Sequence, residues 1–270
     1  MNDAAERPSQ ADRAEAFRAL HEAEPFVVPN PWDAGSAKVL AALGFKALAS
    51  TSSGFAFTLG RSDGSVTLQE LAAHVRLLAN ATALPLSVDL ENGYGEAPAD
   101  AGRAIAIAAE AGAVGGSIED YDPDGRIYCL EHAVARVAAA VEEARGQDFP
   151  FTLTARAENH VRGNPNLDDT IERLQAYERA GAHVLFAPGL RNREEIVAVC
   201  ESVQRPVNVL VRPGLTIADA VEAGAQRVSV GGGLAWAAVN SLVATAEELR
   251  GGGSPIWMRR PANLDEWLAG

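Results

Sequence analysis

Cysteine and positive charge are both scarce in this sequence. There are only two cysteines, Cys129 and Cys200, and 36 Asp and Glu residues outnumber 23 Lys and Arg residues. Two cysteines give no disulfide framework, which predicts a protein of a reducing cytoplasm. The formal net charge of −13 disfavours binding to nucleic acid or to an anionic membrane surface.

Long apolar runs are also missing. No stretch of about 18 uninterrupted apolar residues occurs, so we expect no membrane span. The first twenty residues are charged and lack the apolar core of a signal peptide. No linker or shift in composition divides the 270 residues. We therefore predict a single domain over 1–270, with an N-terminal helical segment over 1–24 and a C-terminal segment over 251–270.

Eight short apolar runs alternate with alanine-rich segments. The runs predict strands at 25–29, 45–51, 85–90, 113–120, 151–156, 183–188, 206–210 and 227–232. The segments between them predict helices, among them 34–44, 68–80, 99–112 and 167–181, and a further helix over 9–22 precedes the first strand. Eight βα units in a chain of this length predict an α/β fold, the (β/α)8 TIM barrel. An open doubly wound sheet is the alternative.

Polar residues concentrate directly after the predicted strands, whereas helix-to-strand connections such as ALGFK and ALPLS carry few. Barrel enzymes place their chemistry at the C-terminal ends of their strands, so this asymmetry predicts an enzyme. Four carboxylates follow three consecutive strands of the predicted barrel: Asp63, Asp89, Glu91 and Glu119. Asp89 and Glu91 point to the same side because side chains alternate along a strand.

Two interpretations of these carboxylates are open. Sites made only of oxygen ligands suit Mg²⁺ or Mn²⁺, and the absence of HxxxH and CxxC patterns disfavours zinc. Alternatively, Asp89 and Glu91 cap the next helix or pair with Arg103 or Arg156, while Glu119 and Asp120 are solvated. Because the carboxylates follow successive strands and no His or Cys lies among them, we favour the metal.

The motifs PNPWDAGSA, TSSGFAFTLGRSDG, SVDLENGYG, GGSIEDYD, LTARAENHVRG, PVNVL and RVSVGG occur in this order. Together they resemble the isocitrate lyase / phosphoenolpyruvate mutase superfamily over roughly residues 24–240. The resemblance implies a (β/α)8 barrel whose last helix is exchanged between subunits, in a dimer or a dimer of dimers. It also implies an Mg²⁺-dependent reaction through the enolate of a small 2-oxo acid.

The resemblance also implies roles for individual residues. At the metal, Asp89 resembles the direct ligand, and the carboxylates that hold its waters would be Asp63, Glu91 and Glu119. Around the substrate, Ser53 and the backbone N–H groups of Gly54 and Phe55 would cradle a carboxylate. Arg156 and Asn208 would be further carboxylate binders, and Trp32 would form a wall of the pocket.

The sequence departs from the family after the fourth strand. Lyases of the family carry a mobile loop with a Lys-Lys/Arg-Cys-Gly-His motif, and this chain has YDPDGRIYCLEHAV instead. Cys129 and His132 remain as a candidate pair, but they begin an amphipathic helix, where a small buried cysteine is expected. The lysine and asparagine of the mutase loop are also missing, and Pro188 stands where the lyases have Glu. We therefore expect decarboxylation of an oxaloacetate-like acid or retro-aldol cleavage of a substituted malate. The alternatives are C–P chemistry and a non-catalytic barrel that binds a 2-oxo acid.

Three further features complete the prediction. The proton carrier would be Tyr94, His160 or a water at the metal, although His160 is expected in a surface loop. The VGGG sequence at 230–233 indicates close packing at a helix start rather than a phosphate site. The C-terminal segment carries a heavy apolar load: Trp257, Met258, Leu264, Trp267 and Leu268. Since apolar tails are normally docked, we expect this one to pack on a neighbouring subunit of a homodimer or homotetramer.

Overall fold

A computed structural model describes residues 7–253 and 260–269. Its eight strands are β1 (Phe26–Val28), β2 (Leu48–Ala49), β3 (Leu86–Asp89), β4 (Gly115–Glu119), β5 (Thr152–Arg156), β6 (Val184–Phe186), β7 (Val207–Leu210) and β8 (Arg227–Ser229). All are parallel, in the order β1-β8-β7-β6-β5-β4-β3-β2. The Ala49 N–H donates to the Pro29 carbonyl oxygen at 3.0 Å and nearly closes the ring between β1 and β2. The predicted (β/α)8 barrel is confirmed, and the open sheet is excluded because β1 pairs with β8.

Helices follow the strands as the sequence pattern indicates. They are α1 (Gln10–Leu20), α2 (Ala34–Ala42), α3 (Ser52–Thr58), α4 (Leu68–Ala81), α5 (Pro98–Glu110), α6 (Leu130–Arg145), α7 (Leu167–Arg179), α8 (Arg193–Ser202), α9 (Ile217–Glu222), α10 (Gly233–Arg250) and α11 (Leu264–Ala269). Thr67 and Glu70 form a capping box at the start of α4, which satisfies backbone N–H groups that the helix leaves unpaired. Gly112 and Gly181, just beyond α5 and α7, adopt φ values of 104° and 101°, so they are the left-handed helix stops that the sequence predicts.

The core lies between the strands and the surrounding helices. Leu86, Ile118 and Leu153 from β3, β4 and β5 are fully buried, and they pack in one cluster with apolar residues of α4 to α8. A smaller cluster joins Phe17 of α1 to Phe26 of β1. Helix α1 therefore covers the N-terminal end of the barrel and leaves the C-terminal end open.

Strand register brings polar residues together at that open end. Glu119 on β4 lies beside Arg156 on β5, and Asp89 on β3 lies beside Ser117 on β4. Arg156 in turn pairs with Phe186 of β6, which pairs with Asn208 of β7. The last residues of neighbouring strands thus meet at one rim of the barrel.

The C-terminal helices differ from the others in exposure. Only Ala235 of α10 is buried, whereas Trp236, Leu242 and Leu249 are exposed. Helix α11 packs on α2 of the same chain, where Lys38 Nζ donates to the Leu268 carbonyl oxygen at 2.6 Å. The predicted apolar residues Trp257 and Met258 lie outside the described residues. No helix in the described part of the chain is long and apolar enough to cross a membrane.

Candidate active site

Two adjoining cavities lie at the C-terminal ends of the strands. One, of about 340 Å³, is lined by residues of all eight strand ends and their loops, and the other, of about 220 Å³, is lined by the carboxylates of the β2, β3 and β4 loops. A larger cavity of about 660 Å³ lies at the opposite end, beside Thr152 and Val184. Volume alone would favour that end as the active site, but the smaller cavities are the ones lined by the four predicted carboxylates and by Ser53, Arg156 and Asn208.

The β3–α5 turn directs two carboxylates to the same side of the barrel. Asp89 Oδ1 accepts a hydrogen bond from the Glu91 N–H at 3.2 Å. Glu91 and Tyr94 have φ values of 48° and 60°, in the left-handed region that non-glycine residues seldom adopt. Only glycine fits at position 93, since a Cβ there would lie 2.8 Å from the Ala101 Cα. Strained backbone of this kind persists where a site requires one side-chain direction.

The four predicted carboxylates crowd one another. Burial, followed by the charges of Asp89 and Asp63, raises the pKa of Glu91 to about 7. Burial is also the main cause of the raised pKa values of Asp63 and Glu119, and Asp89 adds to both. Each carboxylate thus makes its neighbours harder to ionise, and the ionised cluster needs positive charge close by.

Arg156 supplies part of that charge. Its Nη1 lies 2.9 Å from Asp89 Oδ1 and its Nη2 lies 2.8 Å from Glu119 Oε2. The alternative interpretation is therefore right about Asp89 and Arg156, but Arg103 pairs instead with Asp100 at 3.0 Å. Glu119 and Asp120 are buried rather than solvated. Arg162 Nη2 also lies 3.5 Å from Glu119 Oε1, but two guanidinium groups cannot balance all of these carboxylates, so the donor set fits an additional hydrated cation such as Mg²⁺.

Within residues 7–253 and 260–269, no three His, Cys, Asp or Glu side chains converge closely enough to coordinate an ion together. The ligand set implied by the resemblance does not require such convergence. It has one direct protein ligand, Asp89, while Asp63, Glu91 and Glu119 act through water. Magnesium commonly keeps several waters in protein sites.

The cradle expected at α3 differs from the prediction. Gly54 N–H donates to Thr51 Oγ1 at 3.3 Å and Phe55 N–H donates to the Thr51 carbonyl oxygen at 3.0 Å, so helix capping already uses both groups. Ser53 does line the cavity of about 340 Å³ at the C-terminal ends of the strands. Gly54 is needed for packing, because a Cβ there would lie 2.6 Å from Thr51 Cγ2 and 3.1 Å from Trp32 Cβ.

Trp32, Phe55 and Tyr94 are not among the residues that line the two cavities. Trp32 lies behind Gly54, and Phe55 stacks on His74 with ring centroids 3.8 Å apart. Tyr94 donates its hydroxyl to Glu91 Oε1 at 3.1 Å. Burial and the charge of Glu91 raise the pKa of Tyr94 above its usual range, which makes its phenol a poor proton donor. Tyr94 therefore orients Glu91.

Two expectations about burial are wrong. His160 is buried rather than in a surface loop, with Nδ1 2.8 Å from Thr170 Oγ1, and burial lowers its pKa. Cys129 is exposed rather than buried, because it is the N-cap residue of α6. Neither side chain lines the two cavities.

Replacing Cys129 by serine should leave turnover within about threefold of the parent, since a general acid is usually worth 10²–10⁴-fold and Cys129 lies outside the cavities. Steady-state kinetics of the purified variant measures this. A loss on the order of 10²-fold or more would identify Cys129 as the acid of a displaced lyase loop.

Sequence reasoning missed Glu158 and Arg162. Glu158 is fully buried and accepts hydrogen bonds from Arg156 Nε and Arg162 Nε, both at 3.0 Å. The Arg162 guanidinium lies 3.8 Å from the centroid of the Tyr121 ring and lines both cavities. A signal for Glu158 was present, because it follows Arg156 by two residues in the ARAENH motif.

We expect Glu158→Gln to lower the free energy of unfolding by about 1–3 kcal/mol and turnover by about tenfold, because Arg156 and Arg162 lose a charged acceptor. Denaturant unfolding and steady-state kinetics measure the two effects. The matched control is Glu222→Gln, which removes an exposed ion pair with Arg193 at 2.9 Å and should cost less than about 1 kcal/mol. Equal results for the two variants would show that Glu158 does not hold Arg156.

Comparison with known proteins agrees with this geometry. A crystal structure from Burkholderia cenocepacia J2315 has a TM-score of 0.92 and 47% identity, and the match covers 97% of each chain. Oxaloacetate acetylhydrolase in complex with its product oxalate has a TM-score of 0.85 and 26% identity, covering 95% of this chain and 93% of that one. An oxaloacetate decarboxylase of Rhodopseudomonas palustris (strain HaA2) is 32% identical over 257 residues, which are 90% of this chain and 87% of the relative.

The model of one protein family, described as phosphoenolpyruvate phosphomutase, matches residues 17–250. This match includes every strand and every predicted site residue. The resemblance to the isocitrate lyase / phosphoenolpyruvate mutase superfamily is thus confirmed, and the chain belongs to the phosphoenolpyruvate mutase family.

Proposed function

We propose that the protein is an Mg²⁺-dependent carbon–carbon lyase that acts through the enolate of a 2-oxo acid. Its substrate would be a small di- or tricarboxylate, with oxaloacetate decarboxylation favoured over cleavage of a substituted malate. The observation that carries the proposal is the cluster of Asp63, Asp89, Glu91 and Glu119 around Arg156 at the open end of the barrel. Relatives that act on oxaloacetate support the same substrate class.

The residues present suit this chemistry. A bound Mg²⁺ would stabilise the negative charge that develops on the 2-oxo oxygen when the C–C bond breaks; Mn²⁺ could substitute. Glu158, Glu119 and Asp89 hold Arg156 in one orientation, and the Nη1 hydrogen that they leave free can donate to a substrate carboxylate. Ser53 contributes a hydroxyl donor to the same cavity.

The conformation of the segment after β4 is consistent with a reaction that uses no general acid from a mobile loop. Tyr121 and Ile127 form an antiparallel bridge, and Asp122 Oδ2 accepts from Arg126 Nε at 2.8 Å, so the segment is a compact turn. It contains no lysine. Decarboxylation releases CO₂, which needs no proton at the moment of departure, and the pyruvate enolate can be protonated by water. Carbon–phosphorus chemistry remains the second candidate because the family itself is named for it.

The test is a steady-state assay of purified protein with Mg²⁺ against oxaloacetate, substituted malates and phosphonopyruvate. We expect pyruvate and CO₂ from oxaloacetate above the spontaneous rate measured with the same metal concentration. Phosphate release from phosphonopyruvate would favour the second candidate. Metal-dependent oxalate binding without turnover of any substrate would identify a non-catalytic 2-oxo-acid binding barrel.

A further inference from the structure

Arg136 is a charged side chain buried in the middle of α6. Only 1% of its surface is exposed, although arginine is almost never fully buried without a partner. Among the described residues, the acceptors of its hydrogen bonds are all backbone carbonyl oxygens, and none is a carboxylate. Burial lowers the pKa of Arg136. A cation that is costly to bury indicates a role that a neutral side chain could not fill.

The acceptors of Arg136 all belong to the turn 90–97, which follows β3. Nη1 donates to the carbonyl oxygens of Glu96 and Ala97, the latter at 3.2 Å, and Nη2 donates to the carbonyl oxygen of Asn92. The five N–H donors of a guanidinium form a fixed fork, so one arginine can satisfy several carbonyl groups that are turned away from water. Arg136 therefore joins both halves of the turn to α6.

The turn 90–97 needs such support because its backbone is strained. Glu91 and Tyr94 have φ values of 48° and 60°, and Gly93 between them has a φ of 88°. Left-handed non-glycine residues persist only where the surrounding structure fixes them. Without the hydrogen bonds from α6, the turn could relax toward ordinary backbone angles and move the Glu91 carboxylate.

A second set of contacts leads from Arg136 to the same carboxylate. The Arg136 Cζ lies 4.8 Å from the centroid of the Tyr128 ring. The Tyr128 hydroxyl accepts from Asn92 Nδ2 at 3.0 Å, and Asn92 Oδ1 accepts from the Tyr94 N–H at 3.0 Å. Tyr94 in turn donates its hydroxyl to Glu91 Oε1 at 3.1 Å. The contacts are continuous from the guanidinium to the Glu91 side chain.

Arg136 itself does not reach the place where the cation and the substrate would bind. It is not among the residues that line the two cavities at the C-terminal ends of the strands, whereas Glu91 lines the cavity of about 220 Å³. Any effect of Arg136 on the reaction must therefore pass through the turn 90–97.

We propose that Arg136 is a positioning residue of the metal site, which holds the turn 90–97 in its strained conformation so that Glu91 faces the cation. The inference rests on the proposed function, because it takes Glu91 to hold water at a divalent cation. It adds to that function a residue outside the cavities: the affinity for the cation depends on a guanidinium in α6.

The experiment measures cation binding and backbone exchange in the absence of substrate. The Kd for Mn²⁺, followed by electron paramagnetic resonance, should rise about 10- to 100-fold in Arg136→Met, the range typical for loss of a group that orients a metal site. Arg136→Lys keeps the charge but offers fewer donors, so it should recover part of the loss. In metal-free protein, the backbone N–H groups of the turn 90–97 should exchange with deuterium faster in Arg136→Met than in the parent.

Two further variants separate positioning from stability. Tyr128→Phe leaves Asn92 Nδ2 without its acceptor and should raise the Kd for Mn²⁺ about three- to tenfold, as expected for one lost hydrogen bond. Ile196→Val is the matched control, since Ile196 is a fully buried residue of α8. It should lower stability modestly and change the Kd for Mn²⁺ less than about twofold. Saturating Mg²⁺ should restore most of the turnover that Arg136→Met loses, because the bound cation selects the native conformation of the turn.

Three outcomes would overturn the inference: an unchanged Kd for Mn²⁺ in Arg136→Met and Tyr128→Phe, an equal rise in Ile196→Val, or unchanged exchange in the turn 90–97. Thermal unfolding shows whether Arg136→Met folds, and Arg136→Lys and Tyr128→Phe carry the test if it does not. A parent that binds Mn²⁺ but turns over no 2-oxo acid contradicts the proposed function alone. A parent that is active with Mn²⁺ and whose variants bind the ion equally well contradicts this inference alone, and a parent that binds no Mn²⁺ contradicts both.

Discussion

Replacing Asp89 by asparagine should reduce turnover of oxaloacetate by roughly 10³-fold. Loss of the direct ligand removes metal stabilisation of the developing enolate, which is worth several kcal/mol, and each 1.4 kcal/mol or so is a tenfold change in rate. Treatment of the parent protein with EDTA should cause a similar loss. Mg²⁺ or Mn²⁺ should restore the activity, and zinc should be a poor substitute because the cluster has only oxygen ligands.

Asp63→Asn is the matched control for this prediction. Both residues are carboxylates at the same cavity, but Asp63 would hold water rather than the ion, and such outer partners are typically worth about 10- to 100-fold. Because Asp89 also pairs with Arg156 at 2.9 Å, the stability of each variant must be measured alongside turnover. Small and equal losses in the two variants, or full activity in metal-free protein, would mean that the metal has been misplaced.

The features that the sequence predicted well depend on local signals. Eight apolar runs of strand length, separated by helical segments with glycine stops, predict the barrel, and each of the eight strands forms within its predicted range. The grouping of the carboxylates was equally predictable, because parallel strands of a barrel carry their C-terminal residues to the same rim. Asp89, Glu119 and Arg156 meet there as the strand register requires.

The features that the sequence did not reveal depend on contacts between distant elements. His160 is buried because Thr170 of α7 folds back on it, and the Gly54 and Phe55 N–H groups are used by Thr51. The burial of Arg227 inside the barrel could not be predicted from the sequence for a different reason. Both faces of a barrel strand are covered, one by the barrel interior and one by helices, so alternation alone does not say which face of β8 is the interior.

The C-terminal region provides the second large effect that we expect. Helix α10 exposes apolar side chains along its length, with Leu242 62% exposed and Leu249 54% exposed. Several exposed large apolar side chains on one helix are typical of an interaction site. Gly252 adopts a φ of 77° directly after α10, so the chain turns sharply before the last segment. The exposed face of α10 supports our proposal that the protein is a homodimer or homotetramer with an exchanged C-terminal region, although α11 lies on α2 of its own chain in this structure.

Deleting residues 251–270 should therefore give aggregated or monomeric protein with no measurable turnover. The deletion removes α11, which covers α2, together with the rest of the segment that the proposed exchange requires. Light scattering measures the mass, and Leu242→Asp is the companion variant that keeps the whole chain. In a monomer, an exposed position such as Leu242 tolerates substitution within about 0.5 kcal/mol, whereas at a subunit interface the new charge should dissociate the oligomer. A truncated chain that is well folded, fully active and unchanged in oligomeric mass would contradict the exchange, because a segment needed to join two subunits cannot be dispensable for both assembly and turnover.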